Sequence, residues 1–482
     1  MKQKQKRLMV VSNRLPFYKT TDEIGNVTWH QATGGLITSL DPVLRKTNGV
    51  WLGWDGSGLT TVSDAHLELI DIRTIATAEH LLGDEEGFYY VGNIPITAEE
   101  VEEYYNKFSN GTLWALFHYF FEKSSIDYTS WNAYYEVNFR FAQHILKNTS
   151  PDDIIWVQDF HLFLVPHFLR RMRPEQKIHF FLHIPFPHID IFSIIPWQNQ
   201  ILESLLCCDT VGFHHKQYLK NALGAVKLYK KEKEETGEKT IETSIETRFF
   251  INPISIDFDR FHTTSIMPQV FARKKQILEQ CGSPKLILGV DRLDYSKGIK
   301  QRLLALEHLL EQHPELQGLI SYYQIAVPSR EDVVAYQTLK KEIDEIVGRI
   351  NGKFSTGTWS PIHYIYNAVP FEELVALYSA AHIALVTPLR DGMNLVSKEF
   401  IASHSDNDGV LILSKFAGAI SEIKNCLSVN PYSIEDIASA IYRAIHMPDV
   451  ERKRRMIKMR KNVKANNIQL WLDKCLELFG IE

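Results

Sequence analysis

The chain has 482 residues, of which 45% are hydrophobic and 23% charged, and its formal net charge is -5. A chain of this length is expected to form two domains of roughly 200 to 250 residues each. The weak negative charge gives no field that would attract nucleic acid or an anionic membrane in general, so we expect neither as a partner.

The amino terminus predicts neither a signal peptide nor a membrane anchor. Only four apolar residues follow its basic start, and no apolar run elsewhere approaches the ~20 residues of a membrane span. The five cysteines form neither a C-x-x-C pair nor a metal-ligand spacing. Because a sparse and odd set of cysteines is typical of a reducing compartment, we expect a cytoplasmic protein.

Short apolar runs alternate with longer helical patterns along almost the whole chain. This alternation predicts βαβ units with largely parallel sheets, and therefore an α/β fold. The most polar stretch, residues 230–239, is predicted to be a solvated loop or a hairpin tip. A domain boundary is placed just after Pro253. The predicted strands are residues 8–11, 50–53, 154–157, 178–183, 286–290, 319–326, 383–387 and 410–413.

Two short polar segments stand near the start of the chain. Arg14 follows the first predicted strand, and Gly34 and Gly35 precede a predicted helix. A glycine pair at a helix start lets a ligand approach the backbone closely, although such a pair is more often only a turn. A G-x-G-x-x-G fingerprint is absent from both halves, which disfavours a dinucleotide-binding oxidoreductase.

Polar residues follow two further predicted strands of the first half. Asp159 and His161 end one run, and His183 ends the next, just before a Pro-Phe-Pro segment. A lone histidine here is more often structural, but two neighbouring strands that end in polar residues favour a site. An aromatic segment with Tyr105 and Trp114 predicts either a core stripe or a platform for a sugar ring.

Two loops in the second half each follow an apolar strand and open a helix. The first contains Arg292 and Lys297, and the second runs from Pro388 to Glu399. The second helix is predicted to restart around Gly392, where its first N–H groups can receive phosphate oxygens.

Side chains around these loops complete a set that could hold a nucleotide-sugar diphosphate. Glu399, predicted about two turns into the helix, could accept hydrogen bonds from two ribose hydroxyls. Lys398 beside it is expected to face solvent. Asp391 could cap the helix or bind a sugar hydroxyl. Arg330 follows another predicted strand and adds a third basic loop.

The same residues suggest how a reaction would proceed. Arg292, Lys297 and helix-end amides could stabilise a departing diphosphate without a metal ion. No Asp-x-Asp motif stands at a strand end, and no pair of carboxylates argues for a double displacement. We therefore expect no metal and no cofactor.

Long motifs make the chain resemble the trehalose-6-phosphate synthases, which are retaining glycosyltransferases. The motifs are YYNKFSN, FFLHIPFP, RLDYSKG and TPLRDGMNLV, and the likeness covers essentially the whole chain. The resemblance implies a GT-B fold, in which two facing Rossmann-like domains with parallel sheets form a central cleft. It implies an acceptor-binding domain at 1–253, a donor-binding domain at 254–450, and a final helical segment, 451–482, that packs back on the first domain.

The resemblance also implies roles for individual residues, with Arg292, Lys297, His183 and Asp159 as the catalytic set. For the donor, it assigns the diphosphate to Arg292, Lys297, Gly34, Gly35, Gly392, Met393, Asn394 and Leu395, the ribose to Glu399, and the glucose to His183 and Asp391. For the acceptor, it assigns the phosphate to Arg14, Tyr105 and Arg330, and the sugar to Trp54, Trp114 and Asp159.

The implied reaction joins glucose from a nucleoside-diphosphate-glucose to glucose 6-phosphate, which gives trehalose 6-phosphate. The donor base is unreadable, and uridine is the default only because it is common in the family. Gln158 and Phe160 replace the usual His and Tyr of a His-Asp-Tyr-His motif, and residues 19–30 lengthen the first loop. The alternatives are a synthase with another acceptor, such as a glucosylglycerol-phosphate synthase, a pseudo-glycosyltransferase, or a non-catalytic sugar-phosphate sensor. Association into a homo-oligomer is left open.

Overall fold

A computed structural model describes residues 6–21, 27–31, 35–62, 68–75, 87–236, 246–330 and 333–481. Its contacts divide the chain into two units, 1–253 with 472–482 and 254–471. Of the helices described, none combines the length and the apolar character that crossing a membrane requires.

Most of the described strands of the first unit form one sheet in the order β10-β9-β8-β7-β1-β4-β6-β5, which is parallel except for β5. β2 and β3 pair antiparallel, so the lengthened first loop carries its own small sheet. The strands are β1 Leu8–Arg14, β2 Phe17–Thr21, β3 Val27–Gln31, β4 Val50–Trp54, β5 Leu69–Asp71, β6 Tyr90–Asn93, β7 Ile154–Gln158, β8 Lys177–Leu182, β9 Thr210–Phe213 and β10 Arg248–Ile251.

The second unit has a parallel sheet in the order β13-β12-β11-β14-β15-β16. Its apolar residues, such as Ile287, Leu385 and Ile412, pack with helix residues such as Leu303 and Ile441 in one buried core. The strands are β11 Lys285–Arg292, β12 Ile320–Val327, β13 Ile362–Ile365, β14 Ile383–Val386, β15 Val410–Ser414 and β16 Leu427–Val429.

Helices connect the strands of both sheets. Val101–Leu113 is a π-helix, a form that is frequent at functional sites. The α-helices are Gly35–Lys46, Ala98–Glu100, Trp114–Phe117, Tyr128–Asn148, Val165–Met172, Ile189–Phe192, Gln198–Leu205, Lys216–Thr236, Phe258–Ser265, Pro268–Gln280, Ile299–Gln312, Val334–Phe354, Phe371–Ala380, Val396–Ser403, Ile434–Ile445, Asp449–Ala465 and Ile468–Phe479. Short 3-10 turns are Ile72–Thr74, Phe121–Lys123, Phe160–Leu162, Tyr295–Lys297, Pro314–Leu316 and Gly418–Ser421.

The α/β class predicted from the apolar runs is confirmed. Each of the eight predicted runs overlaps a strand, because strands buried on both faces of a parallel sheet read as continuous apolar sequence. The polar stretch 230–239 differs from its prediction as a loop, since the helix Lys216–Thr236 includes most of it. Lys and Glu have high helix propensity. Lys231 Nζ also lies 3.5 Å from Glu235 Oε1, one helical turn later, and such an ion pair stabilises a helix.

The terminal segment predicted as 451–482 divides between the two units. Arg460 of the helix Asp449–Ala465 donates hydrogen bonds to the carbonyl oxygens of Ile401 at 2.9 Å and Ala402 at 2.7 Å, so this helix packs within the second unit. The centre of the Phe479 ring lies 3.8 Å from the centre of the His179 ring. The last helix therefore contacts the first unit, to which residues 472–482 belong.

Both sheets reverse their strand order at one point. In the first unit β1 lies between β4 and β7, and in the second unit β11 lies between β12 and β14. Ligands of open α/β sheets bind beyond the carboxyl ends of the strands at such switch points. The loops after β1, β7, β11 and β14 are therefore the places where each unit is expected to carry a site.

Gly298 allows the loop after β11 to approach the end of β14. Its φ angle is +69°, and a Cβ atom added there would lie 2.4 Å from the carbonyl oxygen of Thr387. A side chain is therefore excluded both by the left-handed backbone and by a rigid neighbour.

We expect Gly298→Ala to lower the free energy of unfolding by more than about 2 kcal/mol, because strain and a backbone clash add together. Urea unfolding of the purified variant measures this loss. The matched control is Gly348→Ala, in a helix and with nothing within 4 Å of the added Cβ. It should leave stability unchanged or raise it by about 0.5 to 1 kcal/mol. Equal stabilities of the two variants would contradict the prediction.

Candidate active site

Lys297 and Asp391 connect the two loops at the switch point of the second unit. Lys297 follows β11 and Asp391 follows β14. Lys297 Nζ lies 2.5 Å from Asp391 Oδ2, and the two side chains are 11% and 13% exposed. Opposite charges attract more strongly when little water screens them, so this contact holds the loops against each other.

Arg302 supports the Lys297 loop from the following helix. Its side chain is fully buried and lies 2.7 Å from Asp291 Oδ2. It also donates a hydrogen bond of 2.6 Å to the carbonyl oxygen of Lys297. No motif of the sequence points to Arg302, although its spacing from Ile299 and Leu306 places it on the apolar face of the helix.

Asp294 lies near three basic side chains of the second unit. It is buried, accepts a hydrogen bond of 3.0 Å from the Tyr336 hydroxyl, and lies 3.5 Å from Arg330 Nη1. Burial raises its pKa, but the nearby charges of Arg330, Arg292 and Lys297 outweigh this effect and lower the pKa to about 2. Asp294 is therefore ionised at neutral pH, and it holds the Arg330 side chain, which is only 5% exposed.

The loop after β14 does not begin its helix where predicted. The helix starts at Val396 rather than around Gly392, so Glu399 lies in its first turn and not two turns inside it. Asn394 has a φ of +76°, which a helix does not allow, and its side-chain oxygen accepts a hydrogen bond of 3.2 Å from the Ser397 amide. The positive φ of Asn394 therefore keeps this residue out of the helix, and its side chain binds the first turn from outside.

The segment Gly392 to Leu395 is held by the loop that follows β15. The Ala419 amide donates a hydrogen bond of 2.8 Å to the Met393 carbonyl oxygen. A Cβ atom added to Gly418 would lie 2.0 Å from the Gly392 carbonyl oxygen, so a side chain there would push this segment away. Gly392 and Met393 are buried, and Leu395 is partly buried.

Glu399 and Lys398 point to different partners. Tyr378 donates a hydrogen bond of 2.8 Å to Glu399 Oε2, and the loss of water around the Glu399 carboxyl group raises its pKa. Lys398 does not face solvent as expected, since it is 1% exposed. Its Nζ donates to the Ile254 carbonyl oxygen at 2.9 Å and to Glu422 at 2.7 Å.

In the first unit, Arg14, Trp54 and Tyr105 form one cluster. The Arg14 guanidinium lies 4.5 Å from the centre of the Trp54 ring. The Tyr105 ring packs edge-on against Trp54, with 5.4 Å between the two ring centres. Trp54 is itself fixed by a hydrogen bond of 2.7 Å to the Ser57 carbonyl oxygen. A cation over an aromatic face beside a tyrosine ring is suited to an anionic sugar.

Asp159 and His183 meet at the ends of β7 and β8. The His183 amide donates a hydrogen bond of 3.1 Å to Asp159 Oδ1, and Asp159 has a φ of +70°. Such a backbone is costly for a residue other than glycine and is frequent at functional sites. The His183 ring lies within hydrogen-bond distance of Gln158 and His214, and burial lowers its pKa to about 3.

Three predicted site residues remain, of which Trp114 and Gly35 are among the residues described and Gly34 is not. Trp114 is buried, and the centre of its ring lies 4.0 Å from that of His118 and 5.8 Å from that of Phe160. Gly35 is the first residue of a helix, and Gly34 is not among the residues described. Within the described ranges no three His, Cys, Asp or Glu side chains lie close enough together to form a metal centre.

Comparison with known proteins connects these clusters to one family. The model of glycosyltransferase family 20 matches residues 6–480. The chain is 38% identical over 466 residues to an α,α-trehalose-phosphate synthase [UDP-forming] A from Dictyostelium discoideum, and the match covers 96% of this chain and 61% of that protein. The chain thus spans about three fifths of that relative's length.

Solved structures agree with this relation. A UDP-forming α,α-trehalose-phosphate synthase from Burkholderia xenovorans in complex with glucose-6-phosphate is 32% identical, with a TM-score of 0.84 over 98% of this chain and 100% of that one. A trehalose-6-phosphate structure from E. coli bound with UDP-2-fluoro glucose is 33% identical, with a TM-score of 0.84 over 99% and 100%. This likeness confirms the GT-B fold class. Since the family model matches nearly every residue of the chain, the protein belongs to glycosyltransferase family 20.

Proposed function

We propose that the chain is a retaining glucosyltransferase that transfers glucose from UDP-glucose to glucose 6-phosphate, with trehalose 6-phosphate and UDP as products. The observation that carries this proposal is the Lys297–Asp391 contact at a switch point of a family 20 chain. The relatives named as UDP-forming synthases, and the related structures with glucose-6-phosphate and UDP-2-fluoro glucose, support both substrates.

For the donor, the proposed ligands lie on the loops after β11 and β14. Arg292, Lys297 and the backbone from Gly392 to Leu395 bind the diphosphate. Glu399 binds the ribose, with one of its oxygens held by Tyr378 so that its orientation is set before the ligand arrives. The glucose is assigned to Asp391, whose Oδ2 lies 2.5 Å from Lys297 Nζ.

Leaving-group stabilisation is the main catalytic contribution in this proposal. As the bond between glucose C1 and the diphosphate oxygen breaks, negative charge grows on that oxygen, and the positive charges of Arg292 and Lys297 stabilise it. The acceptor hydroxyl attacks from the face that the diphosphate leaves and passes its proton to a phosphate oxygen. The side chains therefore act by position and charge, and no protein nucleophile takes part.

For the acceptor, Arg14, Tyr105 and Arg330 are the proposed phosphate ligands. Arg14 is supported by its stacking on Trp54, and Arg330 by its pairing with Asp294. Asp159, Trp54 and Trp114 are the proposed neighbours of the sugar. We also propose a cytoplasmic location, which is supported by the free thiols of the five cysteines.

A substrate panel tests the proposal directly. We expect UDP-glucose with glucose 6-phosphate to release UDP and to form trehalose 6-phosphate, identified by NMR of its 1,1-linkage. GDP-glucose and ADP-glucose test the base, and glycerol 3-phosphate tests the acceptor. Formation of a different glycoside would favour another synthase, and the absence of nucleotide release with every pair would favour a non-catalytic sensor.

We expect Lys297→Ala to lower kcat by about 30- to 1000-fold, because removing one charge that stabilises the leaving group raises the barrier by roughly 2 to 4 kcal/mol. Steady-state kinetics at saturating substrates measure the effect. The control is Lys300→Ala, which removes a more exposed lysine three residues away that pairs with Glu342. A near-native kcat for Lys297→Ala would remove the leaving-group role.

We expect Arg330→Ala to raise the KM for glucose 6-phosphate by about ten- to a hundredfold while the KM for UDP-glucose stays within about twofold. A charged hydrogen bond to a phosphate contributes about 1.5 to 3 kcal/mol, and only the acceptor is proposed to use Arg330. Arg330→Lys should lose less, since it keeps the charge near Asp294. Arg349→Ala, at an arginine that is half-exposed, serves as the control. Equal losses for both substrates would contradict the assignment.

A further inference from the structure

Gln158, His183 and His214 come from the carboxyl ends of three adjacent parallel strands. Gln158 is the last residue of β7, His183 follows β8, and His214 follows β9. The pairing of Gln158 with Phe181 and of Leu182 with Phe213 brings these three strand ends to the same edge of the sheet. Gln158 is also one of the positions at which the chain departs from its family's usual motif.

The ring of His183 is held on both sides. Its Nε2 lies 2.9 Å from Gln158 Oε1, and its Nδ1 lies 3.2 Å from His214 Nε2. Gln158 and His214 are each 1% exposed. Both ring nitrogens of His183 therefore have partners within the protein.

The chemistry of the amide determines where the proton of His183 lies. An amide oxygen can only accept, so Nε2 must carry the hydrogen and Nδ1 must accept one from His214. The low pKa of His183, which results from burial, keeps the ring neutral. The Gln158 amide nitrogen is buried and has no hydrogen-bond partner in the described part of the chain, so the imidazole is what holds this amide in place.

The same histidine also holds Asp159. The backbone N–H of His183 donates to Asp159 Oδ1 at 3.1 Å, and the Asp159 amide donates to the Phe181 carbonyl oxygen at 2.8 Å. Two consecutive residues thus contact His183: Gln158 contacts its imidazole ring, and Asp159 accepts a hydrogen bond from its backbone amide. This double contact fixes the end of β7 to the end of β8 where Asp159 has its costly backbone angle.

We propose that Gln158 is a positioning residue of the acceptor site, which acts through the imidazole of His183 to hold the Asp159 carboxylate in place for the acceptor sugar. The inference rests on the proposed function, which makes Asp159 a ligand of that sugar. His214 is the second support of the same ring.

The first test needs no substrate. In protein labelled with 15N-histidine, the His183 signal, assigned with a His183→Asn variant, should show the neutral tautomer with hydrogen on Nε2. Gln158→Met keeps the length of the side chain but removes the acceptor, so the signal should change to a mixture of tautomers. A parent enzyme with hydrogen on Nδ1, or a signal that Gln158→Met leaves unchanged, would overturn the proposal.

The second test is kinetic. We expect Gln158→Met to raise the KM for glucose 6-phosphate about tenfold, the scale of one lost hydrogen bond, and to leave the KM for UDP-glucose within about twofold. Gln158→His, which restores an acceptor atom, should recover most of the loss. An equal rise in both KM values, or none in either, would overturn the proposal.

The matched control is Gln176→Met. Gln176 is also fully buried, and it donates a hydrogen bond of 2.5 Å to the Asp153 carbonyl oxygen at the amino ends of the same two strands. It should lower the melting temperature without changing either KM. If the parent enzyme released no UDP from these substrates, the proposed function would fail, and the tautomer measurement would still decide whether Gln158 fixes His183.

Discussion

The contact between Lys297 and Asp391 is the interaction on which the second unit's site depends. Each residue lies on a loop that follows one of the two strands at the switch point, and neither loop alone could hold a buried charge. Gly298 permits the close approach, and Arg302 fixes the Lys297 carbonyl oxygen. A cation positioned in this way needs little rearrangement when charge develops on a leaving group, which is the condition for electrostatic catalysis.

The first unit follows the same principle with other groups. Its polar residues again stand at strand ends beside a switch point, but contacts among aromatic rings, amides and imidazoles fix them. Arg14 is placed by stacking on Trp54, and Asp159 by the His183 amide. In both units, the residues proposed to touch substrate are thus held in place by contacts within the protein, as a preorganised site requires.

Much of this could be predicted from sequence, because the signals are local. Continuous apolar runs identify buried parallel strands, and the basic residues directly after them identify the ligand-facing edge. Specific motifs then identified the family.

What sequence could not predict depends on partners distant along the chain or on one residue's backbone. Lys398 is buried because Ile254 and Glu422 provide its partners. The helix begins late because Asn394 adopts a positive φ. Tyr336 and Tyr378 act on Asp294 and Glu399 from separate helices, and no motif contains them.

A double-mutant cycle on Lys297 and Asp391 tests the central claim most directly, with kcat/KM measured for Lys297→Met, Asp391→Asn and the double variant. If the pair acts as one unit, the double variant should lose much less than the sum of the single losses, with a coupling energy of at least about 1.5 kcal/mol. Additive losses would show that the two residues act independently and would contradict the account.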